Sequence, residues 1–93
     1  MTLNSLTSYG KEFQIKVISS LLTHKEFLTN VNDIISDEDF ESSSHKWIIK
    51  EILRYYEKYH ATPTLDILKG ELQKIDNDVL QISIKDQLKQ AYV

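Results

Sequence analysis

The amino-acid sequence predicts an all-α fold, a compact bundle of about five to six helices. Apolar residues recur at helical spacing through most of the chain, and no segment shows the sustained period-two alternation that a strand requires. Helix breakers are rare, since glycine occurs only at Gly10 and Gly70 and proline only at Pro63. With 93 residues, of which 41% are hydrophobic and 27% charged, the chain is long enough for one small globular domain.

The first half of the chain predicts two helices and a short helical turn. Residues 1–10 are polar and predict a flexible leader. Residues 11–23 predict a helix enclosed by its neighbours, because apolar residues cover more than half of its circumference and Gln14 is the one polar intruder. Residues 24–35 predict a second helix of about three turns. The acidic stretch Asp37–Phe40 then predicts a single helical turn whose phenylalanine enters the core.

The stretch from Ser42 to His60 predicts the longest helix, on which the other helices pack. Its isoleucines, leucine and tyrosines fall within an arc of the helical wheel about 160° wide, while charged residues fill the opposite arc. Trp47 departs from this division, because it projects into the charged face between Arg54 and Lys58. It either covers the helix start and the neighbouring acidic turn or anchors a partner protein, since tryptophan is enriched at binding hot spots.

Two shorter helices are predicted after Pro63. Thr64 is placed to cap a surface helix, whose leucines and Ile75 form a narrow apolar stripe. The sequence Asp-Asn-Asp at 76–78 predicts a turn and a second cap. The last segment, residues 79–93, aligns four larger apolar residues on one side, here called the Leu80 stripe: Leu80, Ile84, Leu88 and Tyr92. This stripe either closes the domain's own core or pairs with a helix of another chain.

Composition and charge exclude several classes of protein. The net charge of −3, from 11 basic and 14 acidic residues, argues against direct nucleic-acid binding, which requires a concentrated basic surface. The chain has no cysteine, so it forms neither disulfides nor thiolate metal sites. The N-terminus lacks the apolar region of a signal peptide, and the longest apolar runs are triplets, far short of the ~20 residues that span a bilayer. These features predict a soluble, cytoplasmic protein.

The sequence contains no recognisable enzyme motif. A phosphate-binding loop, a nucleophile elbow and a zinc-protease motif are all missing. We interpret His45 as a capping or core-edge residue, because a metal site needs three or four convergent ligands. The carboxylate pairs Asp37/Asp39 and Asp76/Asp78 lie at helix starts, where capping accounts for them. We therefore predict no catalytic, cofactor-binding or metal-binding residues in this chain.

Several short segments occur in an order that is typical of one protein family. A helix containing VISSLL (Val17–Leu22) precedes the acidic turn DEDFES (Asp37–Ser42), and the helix HKWIIKEILRYY (His45–Tyr56) follows. A PTLDIL segment (Pro63–Leu68) then precedes an L-x-x-I motif (Leu72–Ile75). In this order the segments resemble the N-terminal domain of the DnaB-type replicative DNA helicases, above all the shorter version in large tailed phages. The resemblance covers the chain from Phe13 to Ile75.

The resemblance implies an architecture and a set of partners. Residues 11–76 would form a small helical head, and residues 77–93 would begin the first arm of an extended helical hairpin. In the family, heads form a collar on a hexameric ring, with hairpin pairing making dimers within it. The collar docks primase and, in some systems, the helicase loader. ATP hydrolysis belongs to a separate C-terminal domain, so the parent protein would be an ATP-dependent DNA helicase and this chain would have no ATPase activity.

We therefore predict a non-catalytic interaction domain of a replicative helicase, acting through two surfaces. The candidate partner-binding surface, here called the Trp47 face, comprises Trp47, Lys50, Arg54 and Lys58, and the Leu80 stripe is the candidate self-association surface. The expected partners are the protein's own subunits, primase and a helicase loader, without direct contact to nucleic acid or membrane. One alternative is a free-standing helical adaptor or inhibitor of replication-protein assembly. Another is a DNA-binding helical domain, which the acidic charge balance disfavours.

Overall fold

Five α-helices and one 3₁₀ turn make up the regular secondary structure of the described residues. The computed structural model describes residues 10–92, apart from the side chain of Lys11. The helices are α1 (Lys11–Thr23), α2 (Lys25–Val31), α3 (Ser43–Tyr59), α4 (Leu65–Leu72) and α5 (Asp78–Ala91). A 3₁₀ turn at Asp37–Asp39 precedes α3, and no β-strand occurs within residues 10–92. The all-α prediction is confirmed, while the predicted leader lies outside the described residues except for Gly10.

The helix α3 lies at the centre of the bundle. It packs against α1, α5 and the 3₁₀ turn, and its isoleucines Ile48, Ile49 and Ile52 are completely buried. Burying each such side chain contributes about 1.5–3 kcal/mol. All five helices and the α2–α3 connection supply the core: Val17, Ile18, Leu21, Leu22, Leu28, Ile35, Phe40, Ile48, Ile49, Ile52, Leu68, Leu72, Ile84, Leu88 and Ala91.

Side-chain caps define where three of the helices begin. In each case a side-chain oxygen accepts a hydrogen bond from the backbone N–H three residues further on, at 3.1 Å for Ser42, 3.3 Å for Thr64 and 3.0 Å for Asn77. Such caps contribute about 1 kcal/mol each. The central helix ends at His60, whose φ of 51° and ψ of 39° place it in the left-handed conformation typical of helix C-termini. Local capping chemistry therefore accounts for these boundaries.

The second helix is shorter than its apolar pattern predicts. It ends at Val31, whereas the pattern continues to Ile35. The Asn32 side-chain amide donates to the carbonyl oxygens of Thr29, at 2.8 Å, and Leu28, at 3.3 Å. Because asparagine competes in this way for helical carbonyl groups, it favours the end of a helix. Ile35 still reaches the core.

Two buried polar side chains connect separate elements. Gln14 is fully buried in α1, and its Oε1 accepts a hydrogen bond from the backbone N–H of Glu41 at 3.2 Å. His45 is 2% exposed, and its Nε2 lies 2.6 Å from Oε1 of Gln87 in α5. Since a carbonyl oxygen only accepts, Nε2 of His45 carries the proton and donates it. His45 is thus a core residue that links α3 to α5.

The last helix is part of the same core as the other four. It packs along α1 and α3, and Ile84, Leu88 and Ala91 are each at most 2% exposed. The packing of α5 on α1 and α3 does not test the expected division into a head at residues 11–76 and an arm at residues 77–93, which stays a prediction. That α5 also begins a hairpin arm stays a prediction.

Candidate interaction surfaces

The four residues of the Trp47 face lie along one side of α3. They occupy positions i, i+3, i+7 and i+11 of the helix and extend over about 17 Å. Lys50, Arg54 and Lys58 are exposed, whereas Trp47 is half-buried and packs against the hydrophobic core. The structure therefore brings the predicted residues together, with the tryptophan shared between the core and the surface.

The start of α3 is fastened to the 3₁₀ turn on both sides of Trp47. Lys46 donates from Nζ to the carbonyl oxygen of Asp37 at 3.4 Å, and Nζ of Lys50 lies 3.8 Å from Asp37 Oδ2. These contacts hold the start of α3, which carries the tryptophan, against the acidic turn. Both interpretations of Trp47, a cover for the helix start and an anchor for a partner, are compatible with this position.

Two glutamates pair with Arg54, the cation at the middle of the Trp47 face. Arg54 contacts the carboxylate of Glu51 within α3 and, at 3.4 Å, the carboxylate of Glu71 in α4. The hydrogen bond to Glu51, with the attraction of its charge, raises the pKa of the Arg54 guanidinium. Lys74 also contacts Glu71, at 3.2 Å, and its hydrogen bond lowers the pKa of that carboxyl group. Two of the three cations on the face, Lys50 and Arg54, are therefore paired with carboxylates.

Two tyrosines extend this surface towards the end of α3. Tyr59 is 55% exposed, and its ring centroid lies 4.6 Å from that of Tyr55 and 5.3 Å from Nζ of Lys58. The helical wheel placed Tyr59 on the core side. The structure exposes it at the last position of α3. A small cleft of about 190 Å³ lies here between α3 and α4.

The Leu80 stripe is divided between the core and the surface. Ile84 and Leu88 are buried in the domain's own core, and Leu80 packs against it half-buried. Tyr92 is 37% exposed and lines a groove between α4 and α5, where burial raises the pKa of its hydroxyl group. The two alternatives for the Leu80 stripe were closure of the domain's own core and pairing with another chain. Its two central residues, Ile84 and Leu88, close the core and are therefore inaccessible to another chain.

Two aliphatic side chains on the outer side of α5 were not among the predicted surface residues. Val79 is 79% exposed and Ile82 is 67% exposed. Their spacing of three residues places them on the same side of the helix, next to Asp86. The available signal was the occurrence of two β-branched aliphatic residues off the Leu80 stripe, on an otherwise polar face of the helix.

Residues 10–92 contain neither a metal-binding cluster nor a membrane-spanning helix. No group of three or more histidine, cysteine, aspartate or glutamate side chains within residues 10–92 is arranged to hold a metal ion. None of the helices in this part of the chain has the length and apolar character needed to cross a membrane.

Comparison with known proteins identified one protein family. The family model described as the DnaB-like helicase N terminal domain matches residues 8–91. The match includes all five helices and extends through α5, beyond the Phe13–Ile75 segment that carries the sequence resemblance. Searches of curated proteins and of solved structures found no match.

Proposed function

Because the chain belongs to the DnaB-like helicase N-terminal domain family, we propose that it is a non-catalytic interaction domain of a replicative DNA helicase. It mediates association between helicase subunits and docks primase, the helicase loader or both. The observation that carries this proposal is the family match across residues 8–91. ATP hydrolysis belongs to another domain of the parent protein. The site of action is the cytoplasm, which is that of the host cell if a phage encodes the protein.

Partner docking takes place on the Trp47 face. Tryptophan, tyrosine and arginine are the residues most enriched at binding hot spots, and this face contains Trp47 and Arg54, with the exposed Tyr59 next to its Lys58 end. The two carboxylates that hold Arg54 fix its guanidinium before a partner arrives. Fixing a long side chain in advance reduces the entropy lost on binding. These features support the Trp47 face as the primase-docking surface.

Association between subunits takes place on the outer side of α5. Of the Leu80 stripe, Ile84 and Leu88 are buried and Tyr92 lines the α4–α5 groove, so the half-buried Leu80 is the member left for this contact. The exposed Val79 and Ile82 add apolar surface near the start of the same helix. An apolar patch of this kind is typical of a contact with another protein.

The docking proposal is tested by calorimetric titration of the chain with primase from the same replication system. Charge reversal by Lys50→Glu with Lys58→Glu is expected to weaken binding at least about tenfold, since opposed charges at an interface disfavour association. The matched control is Lys16→Glu with Lys25→Glu, which changes the same charge at exposed positions on α1 and α2. Equal binding by both variants would remove the Trp47 face as the docking surface. Absence of binding to both primase and loader by the wild-type chain would refute the docking function.

A further inference from the structure

A groove separates α4 from α5. Its volume is about 740 Å³, and α4 is not among the helices that pack closely against α5. Leu72 and Leu88 are 1% and 2% exposed and form a floor fixed by the core. Leu65 and Tyr92, which are more accessible, line the groove above them. The result is a groove between two helices with an apolar floor.

Lysines supply every charged side chain that lines this α4–α5 groove. They are Lys69 from α4 and Lys85 and Lys89 from α5, and all three are exposed. None of them forms an ion pair with another residue in the described part of the chain. The chain as a whole carries a net charge of −3, so this concentration of unpaired positive charge is a local feature. An apolar floor with a positive rim is complementary to an apolar stripe flanked by carboxylates.

The dimensions of the groove agree with such an occupant. The eight residues of α4 extend over about 12 Å, which corresponds to two helical turns. Two turns of an amphipathic helix present apolar side chains at i, i+3 or i+4, and i+7, the spacing used when a helix docks in a groove. We propose that the α4–α5 groove binds an acidic amphipathic helix of a partner protein, with carboxylates that face Lys69, Lys85 and Lys89. This inference rests on the proposed interaction function and assigns it a surface distinct from the Trp47 face.

A second copy of the chain does not offer this occupant among the described residues. The most acidic stretch, residues 37–41, contains the 3₁₀ turn Asp37–Asp39 and no amphipathic helix. Its phenylalanine is buried in the core, and the carboxylate of Asp39 accepts the hydrogen bond from the backbone N–H of Ser36 at 2.9 Å. The acidic stretch of a second copy is therefore not the occupant, and the proposed occupant is a helix of a partner protein.

The experiment titrates the ¹⁵N-labelled chain with a designed helical peptide of about 16 residues, long enough to cover α4 and the facing part of α5. The peptide carries leucines at i, i+3, i+4 and i+7 and glutamates on both flanks. Shifts of amide resonances are expected in α4 and α5 and not along the Trp47 face. Fluorescence anisotropy then gives the dissociation constant. A peptide with the same leucines and lysines in place of the glutamates is expected to bind at least about tenfold more weakly.

Charge-reversed variants decide whether the α4–α5 groove is the site that binds the acidic peptide. Lys85→Glu with Lys89→Glu is expected to weaken binding of the acidic peptide at least about tenfold and to strengthen binding of the lysine peptide. Lys16→Glu with Lys25→Glu, which changes net charge equally, is expected to leave both affinities within about twofold. Equal effects of the two double variants, or shifts outside α4 and α5, would overturn the inference.

Three further outcomes separate this inference from its alternatives. Binding of phosphatidylglycerol–phosphatidylcholine vesicles, lost in the Lys85→Glu/Lys89→Glu variant, together with no binding of the acidic peptide, would assign the groove to an anionic membrane and overturn the inference. Primase binding that persists while the acidic peptide fails to bind would overturn the groove and leave the proposed function standing. Peptide binding in the groove without any primase or loader binding would overturn the proposed docking function and leave the inference about the groove standing.

Discussion

Several side chains of this domain contribute both to the fold and to a surface. Arg54 lies on the Trp47 face and also connects α3 to α4 through Glu71. Trp47 packs against the core and reaches the surface beside the acidic turn. Truncation of such a residue changes stability and recognition together. For this reason the exposed lysines, and not Trp47, are the better positions at which to test recognition.

The hydrogen bond between His45 and Gln87 is expected to stabilise the fold. Gln87→Ala removes the acceptor of the buried His45 Nε2–H, which lies 2.6 Å away, and should lower the free energy of unfolding by about 1–3 kcal/mol. The control is Gln90→Ala on the exposed side of α5, which should change it by less than about 0.5 kcal/mol. Urea denaturation followed by circular dichroism measures both. Equal effects would show that the hydrogen bond does not contribute.

The lowered pKa of Glu71 predicts a pH-dependent contribution to stability. A carboxyl group whose pKa is lowered by folding stabilises the native state above its unfolded pKa, about 4.5, and loses this contribution as the pH falls through its folded pKa. Glu71→Gln should therefore be less stable than the wild type near pH 7, and the difference should shrink in acid below pH 4.5. Thermal melts across this range measure it. A difference independent of pH would contradict the ion-pair explanation.

At the level of elements, α5 has one side in the core and another side exposed. This division predicts that aspartate substitutions at Ile82 and Ile84, which are only two positions apart, have different effects on stability. Val79→Asp with Ile82→Asp should leave the melting temperature nearly unchanged and weaken self-association, because both side chains are exposed. Ile84→Asp should unfold the chain, because it places a carboxylate in the core.

Sedimentation equilibrium and thermal melts together measure this contrast. A wild-type chain that stays monomeric at high concentration would contradict self-association by this domain. A double variant that associates as strongly as the wild type would show that the outer side of α5 is not the contact surface.

Helix bounds and caps that depend on local sequence were predictable. Side-chain burial and ion pairs that depend on the position of neighbouring helices were not. The bounds of α1 follow from its apolar pattern, and the caps at Ser42 and Thr64 follow from local chemistry. The exposure of Tyr59 depends on the position of the other helices, whereas a helical wheel gives only the direction of a side chain on its own helix. The same limit applies to the Leu80 stripe, because burial of Ile84 depends on where α1 and α3 lie. The Trp47 face was predictable as a group, whereas the pairing of Arg54 with Glu71 required the position of α4.

At the level of the whole molecule, the proposed domain presents its interaction surfaces on a bundle built around α3. The Trp47 face and the α4–α5 groove share no residue, so two partners are able to occupy them independently. A helicase collar domain would belong to a larger parent protein, whereas an adaptor or inhibitor would act alone.

Immunoblotting of the native source with antibody against this chain separates these two possibilities. Because the proposed motor domain is translated with the collar, we expect a band several times larger than the 10.9 kDa of this chain. A band at the size of the chain would favour the adaptor or inhibitor.

Competition in a priming assay tests the central claim most directly. Primase is incubated with single-stranded DNA and the parent helicase, and the isolated chain is added in increasing amounts while primer synthesis is measured. If the domain docks primase, the wild-type chain should suppress the stimulation by helicase, and Lys50→Glu/Lys58→Glu should suppress it at least about tenfold less effectively. Helicase-stimulated priming that is unaffected by excess wild-type chain would contradict the docking account.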